Sequence, residues 1–141
     1  MEIINKYPSP LKMSNLSITK ATFEFTPNES ISKIKLSLSL NKNIQKISLN
    51  EYFVELFTEL MDENNIIHVS VVCSANFMVP EDDDKISKDN LLNKSAISIM
   101  FPYIRSYITT ITSVPNIAPI VLPPLNVVKF IEDQENLSNE P

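Results

Sequence analysis

Ile97-Ser98-Ile99-Met100-Phe101-Pro102-Tyr103-Ile104-Arg105-Ser106-Tyr107-Ile108-Thr109-Thr110-Ile111 is the stretch on which the fold turns. Its apolar residues recur at helical spacing through Ile97, Met100, Ile104, Tyr107, Ile108 and Ile111, while Arg105, Thr109 and Thr112 fall elsewhere on the wheel. A helix of about four turns is predicted. Pro102 is expected within or near its first turn, where the missing backbone donor deprives no intrahelical acceptor. Downstream, Val114 to Pro124 sets Pro115, Pro119, Pro123 and Pro124 among apolar residues, which suits neither a helix nor an inner strand. It reads as an extended apolar crossover. Leu125 to Ile131 resumes helical spacing through Val127, Val128, Phe130 and Ile131, with Pro124 near the first helical position, and predicts a short C-terminal helix. Glu132 to Pro141 is acidic and nearly free of apolar residues, so a mobile tail is expected there.

Upstream, the periodicity changes from that of helices to that of strands. Ile34, Leu36, Leu38 and Leu40 alternate with Lys35, Ser37 and Ser39, giving one apolar and one polar face. Leu16 to Thr26 alternates in part, with Phe23 and Phe25 on one side and Thr22 and Glu24 on the other, before a turn at Pro27 and Asn28. Tyr52 to Met61 is apolar on both faces and could be a helix by composition; the turn cluster Asp62 to Asn65 and the strand that follows favour a central strand. In that next strand Ile67, Val69, Val71, Cys73, Ala75 and Phe77 form one face and His68, Ser70, Val72, Ser74 and Asn76 the other. Four antiparallel strands in a meander are predicted, followed by helices, which is an α+β arrangement. Pro80 to Lys94, with Glu81, Asp82, Asp83 and Asp84 in a row, is the polar segment that connects sheet and helices, and part of it could be helical.

Composition narrows the function. A chain of 141 residues with 43% apolar side chains fills one core, so a single domain over 1–141 is expected, with residues 1–11 flexible. The net charge of -5 disfavours nucleic acid, whose binding requires basic side chains to displace counterions. Met1 to Pro10 lacks the apolar run of a signal peptide, and no stretch is long enough to span a bilayer. The single cysteine, Cys73, allows no internal disulfide, which points to the cytoplasm. With no glycine in the chain, the phosphate-cradling loops are excluded.

Met100-Phe101-Pro102-Tyr103-Ile104-Arg105 resembles the Leu-Phe-Pro-Tyr-x-Arg start of the long helix in the SecB family of protein-export chaperones. The likeness continues through Ile108-Thr109-Thr110-Ile111-Thr112-Ser113. Leu122-Pro123-Pro124-Leu125-Asn126-Val127 is similar to that family's approach to its last helix. Weaker similarity covers Thr22-Phe23-Glu24, Pro27-Asn28 and Lys35-Leu36-Ser37-Leu38-Ser39. Near the crossover, where these proteins often place glycine, this chain has Pro115 and Asn116.

The resemblance implies a dimer of dimers, a homotetramer joined through the long helices, with Phe101, Ile104, Ile108 and Ile111 at the interface. Taken without it, the same stripe could pack wholly on its own sheet. It also implies a holdase that binds unfolded or precursor polypeptides in apolar grooves and keeps them competent for export through the Sec pathway. Such a groove works by apolar burial, worth roughly 25 cal/mol per Å² and indifferent to sequence. Candidate lining residues are Ile34, Leu36 and Leu38, then Val114, Ile117, Ile120 and Leu122 of the crossover, and Val127, Phe130 and Ile131 of the last helix. The first three can equally be core. For docking to the export motor SecA the resemblance carries over Glu24; Lys20, His68 and Ser70 depart from the family's acidic pattern, and Glu55 and Glu59 could substitute for it.

The residues suggest no catalysis, cofactor or metal. His68 and Cys73, the sole histidine and cysteine, fall on opposite faces of one strand. Asp82 to Asp84 lack the ligand spacing, central glycine and closing glutamate of a calcium loop. Two functions stand: a general export chaperone, and an adaptor on the same fold dedicated to one partner, such as an antitoxin, without SecA coupling. A plain assembly domain with no open groove stays open beside them.

Overall fold

The computed structural model describes residues 2, 4, 10–27, 34–80 and 84–138. Four antiparallel strands, β1 Lys12–Phe25, β2 Ser37–Lys46, β3 Glu51–Met61 and β4 Ile67–Met78, precede the helices. A helical run follows: α1 Lys85–Asn90, a π-helical stretch Leu91–Ala96, and α2 Ile97–Ile111. After the crossover comes α3, Val127–Ser138.

The sheet order is β1-β4-β3-β2. Strands β2 to β4 do form a meander, but β1 pairs with β4, so the full four-stranded meander is corrected to a Greek-key order. Period-two alternation specifies which face of a strand is buried and carries no information on its neighbours. What separates the two topologies is the connection from Phe25 to Ser37, which is longer than a hairpin turn and carries the chain from one edge of the sheet to the other. Within β1 the register slips between Ser14 and Ser17 and again between Ile18 and Lys20, the mark of bulges.

Side-chain parity sorts the strands as predicted. Val54, Leu56 and Leu60 of β3 and Val69, Val71, Cys73, Ala75 and Phe77 of β4 are buried on the inner face, against Ile97, Met100, Ile104 and Ile108 of α2. Thr58 is also on that face, and its hydroxyl is buried with no hydrogen-bond partner among the described residues. The β3–β4 turn is closed by Asp62, whose carboxylate accepts the Ile67 N–H at 2.8 Å and the Asn64 N–H at 3.1 Å. These bonds, that to Ile67 foremost, hold its pKa below the ordinary 3.8. In a chain without glycine, the left-handed positions among the described residues fall to asparagine: Asn15, Asn65 and Asn116 have φ of 55°, 55° and 76°. Asparagine tolerates this region better than other residues with a Cβ.

Three boundary expectations need correction. Pro102 is the sixth residue of α2 and lies deep inside a helical run that starts at Lys85, because the polar connection is itself helical. Leu92, Ala96, Met100, Ile104 and Ile108 make one buried row at intervals of four, of which Leu92 and Ala96 are the part that charge in the connection obscures. The acidic segment expected to be a mobile tail continues α3 through Ser138, while 139–141 lie outside the described residues. Of the N-terminal residues expected to be flexible, 1, 3 and 5–9 lie outside the described residues, and Leu11 is buried. Glu81, Asp82 and Asp83 also lie outside them.

Candidate functional site

The crossover has no strand partner, so its backbone groups must be satisfied otherwise. Two threonines of α2's last turn and its C-terminal boundary do this at Ile120. The buried Thr112 hydroxyl donates to the Ile108 carbonyl at 2.7 Å and accepts the Ile120 N–H at 2.9 Å. The Thr109 hydroxyl donates to the Ile120 carbonyl at 2.8 Å. Asn116, in the left-handed region at φ 76°, turns the chain back toward the helix. With Ile120 clamped at both polar groups, its neighbours separate. Leu122 goes into the core, and Val121 stands 68% exposed.

The crossover then leads into α3. Asn126 caps that helix, its side-chain oxygen accepting the Lys129 N–H at 3.0 Å. Val127 and Ile131 anchor the helix in the core, and Phe130 is half-buried beside them. Ser98, Phe101, Pro102 and Arg105 of α2 line one side of a hollow of about 250 Å³, with Pro124 to Val127 on the other.

The predicted groove residues divide accordingly. Ile34, Leu36, Leu38, Ile117, Ile120 and Phe130 are half-buried and Val114 is exposed, so each presents some apolar surface. Leu122, Val127 and Ile131 are core and have no surface to offer an open groove, because they are the residues that dock the crossover and α3. Val121 was not among the predicted residues, although it is more exposed than any of them; the alternation of Ile120, Val121 and Leu122 is its signal, legible once Ile120 is known to be clamped.

The predicted interface stripe is corrected in the same way. Phe101, Ile104 and Ile108 are buried in the chain's own core and Ile111 is half-buried. What α2 turns outward is Tyr103, 51% exposed, with Tyr107, Pro102, Ser106 and Thr110; with Leu16 and Ile18 of β1 they line an open hollow of about 500 Å³. The tyrosines stand one helical turn apart, a spacing visible in the sequence.

The outer face of the sheet carries mixed charge. Glu24 is exposed and pairs in register with His68, whose Nε2 is 3.3 Å from the Glu59 carboxylate. Phe57 and Met61 are exposed on the same face, with Glu55 half-buried beside them. The Thr22 and Ser70 hydroxyls hydrogen-bond across the β1–β4 pair. Cys73 is fully buried on the opposite face, where burial pushes its thiol up to about 11. His68 and Cys73 therefore cannot meet.

No family model matches the chain. An uncharacterized protein of Methanocaldococcus jannaschii is 29% identical over 140 residues, spanning 92% of this chain and 88% of that protein. The protein-export protein SecB of Orientia tsutsugamushi is 25% identical in strain Ikeda, across 96% of this chain and 81% of that protein. In strain Boryong it is 26% identical, across 95% and 82%. Among solved structures, the Mycobacterium tuberculosis SecB-like chaperone in complex with a ChAD peptide from the HigA1 antitoxin superposes with a TM-score of 0.67 at 13% identity, covering 82% of this chain and 91% of that one. The four-stranded antiparallel sheet, long helix and short C-terminal helix, met in a sequence that aligns with two SecB proteins along nearly its whole length, make this chain a SecB-like protein.

Proposed function

We propose that this chain is a holdase that binds unfolded polypeptides through apolar surface along its crossover and the adjoining strand and helix. The observation that carries the reading is the clamp on Ile120: two threonines hold an otherwise unpaired segment in place while Val121 and Val114 face outward, 68% and 38% exposed. A fixed apolar ledge with few polar groups binds by area and not by sequence. It needs no catalytic group, cofactor or metal, and we read the protein as a binding protein. Among the described residues, no helix is long and apolar enough to cross a membrane. A cytoplasmic site of action fits the single reduced cysteine.

Self-association is the second part of the proposal. Tyr103, Tyr107, Leu16 and Ile18 offer a second copy an apolar surface beside an open strand edge, which suits the dimer of dimers expected of SecB-like proteins. On the sheet's outer face, Glu24, Glu55 and Glu59 outnumber Lys20 and His68, so docking to a basic SecA segment has acidic support there. It is the weaker reading, since Lys20 and His68 oppose it.

An adaptor for a dedicated partner is the alternative, favoured by one observation: the Mycobacterium tuberculosis SecB-like chaperone was solved with an antitoxin peptide. The test is light scattering of several chemically unfolded proteins diluted with and without this chain. General suppression, weakened by Val121→Asp, supports the holdase; absence of suppression by a folded, associated protein rejects it in favour of the dedicated adaptor.

A further inference from the structure

Strand β2 is an edge of the sheet, and its free side is covered at one point by a side chain. The Leu40 N–H donates to the Gln134 side-chain oxygen at 2.9 Å, so this amide points away from β3. The β2–β3 register is unbroken, and hydrogen-bonded and open positions alternate along an antiparallel pair. Leu38, Lys42 and Ile44 therefore also turn their N–H groups to the open edge, and among the described residues none of these three amides has an acceptor. One residue beyond Gln134, Glu135 pairs with Lys42 at 3.4 Å. Both contacts come from the part of α3 whose composition predicts a mobile tail.

The Gln134 carboxamide is chemically a peptide group, and it occupies the place where a carbonyl of an added strand would accept the Leu40 N–H. We propose that the β2 edge is a strand-addition site for extended polypeptide and that the end of α3 is the latch over it: Gln134 and Glu135 hold the edge closed until a client's backbone displaces them. The site rests on the holdase reading and deepens it. Backbone pairing is as indifferent to client sequence as apolar burial, and Leu36 and Leu38, half-buried beside the edge, would receive alternate client side chains.

The test uses the full chain, a synthetic apolar peptide, and the same peptide N-methylated at every second residue. Peptide saturation should slow amide hydrogen exchange at Leu38, Lys42 and Ile44 and leave Ser39, Asn41 and Asn43, already bonded to β3, unchanged. N-methylation should weaken binding by about tenfold or more, and Gln134→Ala should tighten it severalfold. If the plain peptide binds with no change at the three open amides, or the methylated peptide binds as well, strand addition is overturned while the holdase reading stands. If Gln134→Ala weakens binding, Gln134 is part of the binding surface and the latch is overturned. If no apolar peptide or unfolded chain binds, both readings fall.

Discussion

The Thr112 hydroxyl accepts the amide of Ile120 at 2.9 Å while donating to the carbonyl of Ile108 at 2.7 Å, so one buried side chain both ends α2 and fixes the crossover. Thr112→Val keeps the shape and leaves the Ile120 N–H without an acceptor. The expected loss is about 1–3 kcal/mol of stability, read by chemical denaturation, with Thr112→Ser close to wild type. If Val and Ser variants behave alike, the hydroxyl does not hold the crossover. Because the clamp presents Val121, Thr112→Val should also reduce suppression of client aggregation under conditions where the variant remains folded.

The two sides of α2 should respond differently to truncation. Ile104 is fully buried, and Ile104→Ala removes packing on the chain's own sheet at a cost of about 2–5 kcal/mol. Tyr103→Ser with Tyr107→Ser removes apolar surface from the outward face and should shift sedimentation toward smaller species with little change in protomer stability. A double variant that unfolds but never dissociates would place these tyrosines in the core of the protomer and not at a shared surface.

Much of this could be read in the residues, and the failures have definite causes. Strand parity was legible in β2 and β4, where apolar and polar residues alternate and alternation records burial directly, and less so in β3, whose outer face also carries Phe53, Phe57 and Met61. Strand order was not, since β1 keeps the same alternation whichever edge it joins. The extent of the helices was left open before α2 and misjudged after Ile131 for one reason: from Lys85 to Lys94 and from Glu132 to Ser138, helical backbone carries few apolar residues, and periodicity has little to register. The candidate site was half legible. The proline-rich apolar composition located the crossover, but which residues face outward depends on hydrogen bonds to Thr109 and Thr112 that no pattern of hydrophobicity encodes.

Asp62 gives the fold an acid-sensitive turn. Its folded pKa lies below the ordinary 3.8 because its carboxylate accepts backbone N–H groups, first that of Ile67. A depressed carboxyl stabilises the fold above its unfolded pKa, and that contribution is lost as pH falls through the folded value. Tm measured from about pH 5 down to pH 2 should fall more steeply for wild type than for Asp62→Ala, which starts lower and lacks this titration. Parallel curves would show that the turn does not depend on the charged form.

Cys73 sets the corresponding alkaline limit. It sits in the centre of β4 opposite Leu56, fully buried, and loss of solvation for the thiolate raises its pKa from the ordinary 9.0 to about 11. Burial here disfavours the charged form, so the unfolded chain releases its proton at lower pH than the folded one. The stabilisation is complete below pH 9.0 and is lost as pH rises toward about 11. Wild type should therefore lose stability across that window faster than Cys73→Ala, which begins less stable at neutral pH through the lost packing. The same burial should keep a thiol reagent out: labelling at neutral pH is expected to follow unfolding, accelerating in denaturant in step with loss of the native circular dichroism signal. Rapid labelling of the native protein would mean that the centre of the sheet opens without global unfolding, and the inner face described for β4 would have to be a transient one.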